Sequence, residues 1–184
     1  LVNKKDPEPE PALELIKGLR NKSIFFVPGN HEWWSGYTIR EPLLSLGVNI
    51  LENKSFKLTK GHSHLWITGV DDPYTGRDEL DKALRNANDG QPIILLAHAP
   101  EIFPQGVNSQ VELILVGHTH GGQIRLPFIG AVIVPGQKLF PQYDYGLYSE
   151  GKSKMIITGG LGESGLPIRF NIRPEIVFVT LTSK

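Results

Sequence analysis

Two histidines stand in Gly117-His118-Thr119-His120-Gly121-Gly122-Gln123, directly after the apolar run Val111-Glu112-Leu113-Ile114-Leu115-Val116. Neutral imidazole nitrogens ligate first-row metals, and residues at i and i+2 leaving a strand can turn both rings to one side. The flanking glycines let other groups crowd in. Two more apolar runs end the same way: Ile24-Phe25-Phe26-Val27 leads to Gly29-Asn30-His31-Glu32, and Ile93-Ile94-Leu95-Leu96-Ala97 leads to His98-Ala99-Pro100. Open α/β sheets gather ligands outside the carboxyl ends of their strands, so three such loops point to one pocket. A single histidine is as readily a surface or capping residue; the repeated placement is what argues for a site.

These loops need a scaffold, and the apolar periodicity supplies one. Helical spacing covers residues 12–19, 38–46 and 77–87. Compact apolar runs read as buried strands ending before Pro28, His98 and Gly117, with a further strand at Val48-Asn49-Ile50-Leu51. Alternating runs at 55–59 and 64–70 read as a hairpin, and strands are expected at 154–158 and 175–181 on either side of the glycine-rich 159–165. Helices mixed with strands of both spacings predict an α/β fold with two sheets, one more parallel and one more antiparallel.

At 184 residues the chain has the size of one domain, expected to run over 1–184. Nineteen basic side chains balance nineteen acidic ones, so no net basic field favours nucleic acid as a partner. Without cysteine there is neither a disulfide framework nor a thiolate metal site. Any metal must be held by His, Asn or carboxylate, the ligands of Zn, Mn and Fe. No apolar run approaches the roughly 20 residues of a membrane span.

Together the three loops resemble those of the calcineurin-like metallophosphoesterases. Three further features resemble a YkuE-like bacterial branch of that superfamily, one that also includes some lipid-precursor pyrophosphatases. They are the extended Gly-His-Thr-His-Gly-Gly-Gln form, the segment from Pro141-Gln142-Tyr143 to Tyr148, and Leu161-Gly162-Glu163-Ser164-Gly165-Leu166-Pro167-Ile168-Arg169-Phe170. The resemblance implies a four-layer α/β/β/α sandwich around a centre of two divalent metal ions (Mn, Fe or Zn) that activate water and neutralise phosphoryl charge. Carried over by position, it makes Asn30, His98 and His118 ligands of one metal and His120 a ligand of the other. His31 would lie beside the scissile phosphate, protonating the leaving oxygen or stabilising transition-state charge.

The family also places an Asp-x-His pair and then a Gly-Asp before these segments. On that alignment Leu1-Val2-Asn3 is the remnant of a strand whose beginning is missing, the bridging aspartate falls just before residue 1, and the chain holds only one metal. Asn3 falls where a second aspartate commonly orients the catalytic histidine, and an amide brings no negative charge to raise the imidazole pKa. It reads equally as a turn residue.

Several other residues compete for attention. Gly61-His62-Ser63-His64 repeats the Gly-His-x-His spacing but falls where a hairpin turn belongs, and Asp71-Asp72-Pro73 reads as a turn former. Trp33 and Trp34 read as packing before pocket wall, and the apolar 126–129 tip as buried against a sheet rather than meeting a membrane or acyl chain. Arg169 reads equally as a phosphate ligand or a structural ion-pair partner.

The expected activity is metal-dependent hydrolysis of a phosphomonoester, phosphodiester or lipid-linked pyrophosphate. The expected partner is a phosphorylated small molecule or lipid-linked substrate. Any membrane association would come through the missing N-terminal segment, and the expected location is cytoplasmic or peripheral to the cytoplasmic membrane. The competing readings are a catalytically degenerate binding module of the same fold and a mononuclear hydrolase using Asn30, His98 and His118.

Overall fold

The structure is a computed structural model that describes residues 9–19, 21–131, 134, 141–162 and 168–182. Asn3 and residues 163–167 lie outside that set.

A six-stranded sheet carries the molecule, in the order β3 (Lys54–Lys60), β4 (Ser63–Gly69), β5 (Ile93–Leu96), β6 (Leu113–Val116), β10 (Ser153–Ile157), β9 (Gly146–Glu150). The inner four strands are parallel, and β3 and β9 close the two edges as antiparallel hairpin arms. Parallel neighbours require crossovers, and these are made by helix α4 (Leu80–Leu84) between β4 and β5 and α5 (Phe103–Asn108) between β5 and β6. Burial alternates along the strands as a period of two demands. Leu95, Ile114, Val116, Met155 and Ile157 are buried beneath the crossover side with Ala83, Ile102 and Phe103, while Ile94, Leu96, Leu113 and Leu115 on the other face are half-buried. Gly106 of α5 lets that helix sit down on Ile114, since a Cβ there would come within 2.5 Å of the Ile114 Cδ1.

A second, smaller sheet is the parallel pair β1 (Phe25–Phe26) and β2 (Asn49–Ile50). Its apolar side chains, with Tyr37, Ile39 and Val48, form a separate core with Ile16 of α1 (Glu10–Gly18) and Leu43 of α3 (Arg40–Ser45). This sheet abuts the end of β4 at Gly69, where a Cβ would collide with Leu51 and with Val27. Running from α4 and α5 through the two sheets to α1 and α3, the layers follow the α/β/β/α order of the metallophosphoesterase sandwich. A third pair, β7 (Arg125–Leu126) and β8 (Gly130–Ala131), makes a small hairpin directly after the histidine loop.

Two expectations need correction. Residues 175–181 form no strand in the structure; they pass the half-buried face of the central strands, Val177 and Val179 near Leu115 and Ile156, and Thr180 and Leu181 near Ile94 and Leu113. A strand needs a ladder partner, and a segment crossing a sheet face beside already paired strands has none there. The 126–129 tip is not buried either: Phe128 is fully exposed and Ile129 is 58% exposed. The hairpin is held from below instead, by the Arg125 Nη1 to Asp144 Oδ2 ion pair at 2.7 Å and the Ala131 N–H donated to the same carboxylate.

The inner strands should dominate stability. Ile114→Ala is expected to cost about 2–5 kcal/mol, against less than about 0.5 kcal/mol for Leu147→Ala on edge strand β9, Ile114 being 0% and Leu147 63% exposed. Chemical denaturation of both variants checks this; equal losses would contradict the assigned core.

Candidate metal centre

Strands β5 and β6 are parallel neighbours in the register Leu96 to Leu115, and their ladder continues past the formal strand ends. Ala97 N–H donates to the Leu115 carbonyl at 3.1 Å, and Gly117 N–H to the His98 carbonyl at 3.1 Å. His98 and His118 therefore leave the sheet side by side. His118 Nδ1 lies 2.9 Å from His98 Nε2, with the rings 4.6 Å apart.

The third member comes from the other sheet. After β1 the chain turns at Pro28-Gly29 and enters α2 (Asn30–Trp34), a short helix where the sequence suggested only a loop. Its start is fixed by Glu32, a buried carboxylate that accepts the Gly29 N–H at 2.8 Å, one half of a capping box. Asn30 is thereby presented at the first helical position, 2% exposed, with Oδ1 2.9 Å from His98 Nε2. Gly29 is required here for space: a Cβ would come within 2.5 Å of His98 Nδ1. Glu32 was missed as a positioning residue, although glycine followed three positions later by glutamate was a readable cap signal.

Asn30 Oδ1, His98 Nε2 and His118 Nδ1 thus form a chain of donor atoms 2.9 Å apart. Donors each about 2.0–2.2 Å from a first-row ion stand roughly 3 Å from one another, so the set fits one divalent metal. Metal binding requires unprotonated rings. Burial, seconded by the neighbouring His118, pushes the His98 pKa down to about 2. Among the described residues no group of three or more His, Cys, Asp or Glu side chains gathers around a common point; the amide of Asn30 completes this set.

His120 does not join the three. The backbone at His118, His120 and Gln123 has φ of 67°, 51° and 45°, and Gly121 and Gly122 are also left-handed. This is no longer strand geometry, and the two rings find different surroundings. His120 is half-buried, its partial desolvation lowers its pKa, and it faces the Gly162 carbonyl and the Arg169 guanidinium. Arg169 makes no carboxylate pair among the described residues; its Nη2 donates to the carbonyls of Gly159, Gly160 and Gly162. His31 lies in the same helix as Asn30, half-buried, within electrostatic reach of both His98 and His120. The structure therefore gathers all five residues at one end of the sheets, with Asn30, His98 and His118 in contact.

Asp71, Asp72 and His64 take structural partners instead. Asp72, fully buried, caps the turn Pro73–Thr75 by accepting from Tyr74 N and Thr75 N, and Asp71 accepts the Trp33 indole N–H at 2.7 Å. Burial raises the pKa of both carboxyls. His64 leaves the hairpin turn to meet Asp89 at 2.8 Å, far from the trio in the fold. The tryptophan pair divides: Trp33 packs edge-on against Tyr37 under the Arg77 guanidinium, while Trp34 turns toward His31. Tyr74, whose ring lies 4.7 Å from that of His118, was not foreseen.

Comparison with known proteins identifies the family. The family model described as calcineurin-like phosphoesterase matches residues 1–122. An uncharacterized metallophosphoesterase of Helicobacter pylori is 37% identical over 171 residues, covering 87% of this chain and 43% of that protein. YkuE of Bacillus subtilis, also described as an uncharacterized metallophosphoesterase, is 35% identical over 161 residues, covering 85% of this chain and 55% of its own length. The chain thus spans about half the length of these curated relatives. A Thermus thermophilus sulfate thiohydrolase SoxB structure aligns at 16% identity with a TM-score of 0.48, over 74% of this chain and 27% of that one. With the family model matching well over half of its 184 residues, the chain belongs to the calcineurin-like phosphoesterase family, in a YkuE-like bacterial branch.

Proposed function

We propose that this chain carries the metal-binding half-site of a phosphoesterase that hydrolyses a phosphomonoester, a phosphodiester or a lipid-linked pyrophosphate. The family as a whole is one of metal-dependent phosphoester hydrolases; the substrate and the number of metals are our reading. The observation that carries it is the meeting of Asn30, His98 and His118 from two sheets at hydrogen-bond distance. A divalent ion held there would act as a Lewis acid toward a phosphoryl oxygen and lower the pKa of water.

The chain's own residues supply the rest. His31, one residue from Asn30 on α2, would give a proton to the leaving oxygen as the bond from phosphorus to that oxygen breaks. The oxygen of water ends on phosphorus, so a phosphomonoester yields an alcohol and phosphate, a phosphodiester an alcohol and a phosphomonoester, and a pyrophosphate two phosphorylated products. His120, half-buried beside Arg169, would offer a neutral nitrogen for a second ion. A second reading, a binding module with a degenerate centre, is favoured by one observation: no carboxylate joins the three donors among the described residues.

Titration with Mn or Zn, followed by calorimetry and elemental analysis, is expected to find at least one ion bound. His98→Ala should weaken that binding at least a hundred-fold, beyond the 10–100-fold typical of residues that only orient ligands. Chelator should abolish release of p-nitrophenol from p-nitrophenyl phosphate or its diester. A metal-loaded chain without hydrolysis would support the binding module. Failure to bind any divalent ion, with His98→Ala indistinguishable from the parent, would sink the hydrolase reading and support the binding module, which two tightly bound ions would contradict.

Gly29→Ala tests the geometry from the backbone side. Its φ of −124° suits alanine, so the fold should persist, but the new methyl displaces the His98 ring. Metal affinity is expected to fall about ten-fold or more, with a far-ultraviolet circular dichroism spectrum like the parent's. Unchanged affinity would contradict the close approach of Gly29 to His98.

A further inference from the structure

The aromatic rings around the candidate centre form a connected arc. The His31 ring lies 5.5 Å from Trp34, Trp34 lies 6.1 Å from Tyr74, and Tyr74 lies 4.7 Å from His118. One end of the arc is thus the residue proposed for proton transfer, and the other is a candidate metal ligand. The two rings between them are the accessible ones, Trp34 being 45% and Tyr74 37% exposed. Trp33 and Trp66 donate their indole N–H groups to Asp71 and Asp89.

Both rings are held in place from below. Trp34 follows His31 by three residues on α2, which stacks the two on one helix face. Tyr74 sits in the turn Pro73–Thr75, whose start is pinned by the buried Asp72 carboxylate accepting the Tyr74 N–H at 3.2 Å. Their planes stand at 77° to each other. Two nearly perpendicular aromatic walls form a corner in which a planar ring stacks on one wall and turns its edge to the other, the two arrangements aromatic pairs prefer. A flexible acyl chain gains only contact area there.

We infer that Trp34 and Tyr74 form the leaving-group subsite and select phosphoric esters that carry a planar aromatic group close to the phosphate. This rests on the phosphoesterase reading above and narrows it away from lipid-linked substrates. The corner touches both His31 and His118, so the aromatic group is attached directly to the phosphate oxygen or through a linker no longer than a sugar. An aryl ester and a nucleotide share that chemistry.

The test uses Trp34→Ala and the ring-conserving Trp34→Phe, each in the metal-loaded chain. The parent should hydrolyse phenyl phosphate or AMP with a kcat/KM at least about ten-fold above hexyl phosphate, the size of discrimination that a few apolar contacts give. Trp34→Ala should remove most of that preference through KM, and Trp34→Phe should keep it. Comparing phenyl phosphate with AMP identifies which source of the ring the corner prefers.

A binding measurement accompanies turnover. Phenyl phosphate or AMP should shield tryptophan fluorescence from acrylamide, whereas inorganic phosphate and hexyl phosphate should not, and Trp34→Phe should lose the shielding. Equal kcat/KM for aromatic and hexyl esters, or a preference untouched by Trp34→Ala, would overturn the subsite while leaving the hydrolase reading intact. Without any hydrolysis the shielding decides: selective shielding by the aromatic esters supports the subsite even as the hydrolase reading fails, and no shielding overturns it.

Discussion

The continuation of one backbone ladder beyond two strand ends determines most of what happens at the centre. Because β5 and β6 are parallel and in register, the bonds from Ala97 N–H to the Leu115 carbonyl and from Gly117 N–H to the His98 carbonyl carry the pairing up to the histidines themselves. A slip of one residue would turn every side chain of the strand to the opposite face, so the register is locked by the same burial that makes the core. Leu95 and Ile114, both fully buried, are thus as much a part of the site's geometry as the rings they support.

The second constraint is how closely two sheets approach. Gly69 admits Leu51 and Val27 at the end of β4, and Gly29 admits the His98 ring at the end of β1. Neither glycine has a left-handed φ; each is needed because a side chain would occupy space already filled. The trio therefore spans a junction between sheets, Asn30 belonging to one and the two histidines to the other. Trp33 ties the same junction from the side through its hydrogen bond to Asp71.

Much of this was legible in the sequence, and the parts that were not have physical reasons. Buried strands announce themselves as short apolar runs, so the strands leading to Asn30, His98 and His118 could be placed, and the family resemblance then grouped the residues. Helix α2 was hidden because five residues are too few to show a period; only Glu32 three positions after Gly29 signalled it. Residues 175–181 hold the β-branched and aromatic run expected of a strand, yet such a run speaks of β propensity and not of a ladder partner. The exposed Phe128 defied the expectation that apolar residues are buried, since an ion pair beneath a hairpin can hold a tip out in water. The left-handed turn at His118 was unreadable, because histidine carries no strong backbone preference to betray it.

That turn has an energetic consequence. His118, His120 and Gln123 all hold φ between 45° and 67°, conformations that disfavour a side chain by about 1 kcal/mol or more apiece. The loop does not keep this shape through its own propensities. Thr119, fully buried, accepts the Gly121 N–H, and Phe170 N–H and carbonyl clamp Gln123 and Arg125, so the strain is balanced by contacts with a distant part of the chain. A spring held by such contacts relaxes when they loosen. On warming, the histidine loop should thus lose its order while the parallel sheet beneath it is still intact, so that binding fails at a lower temperature than folding.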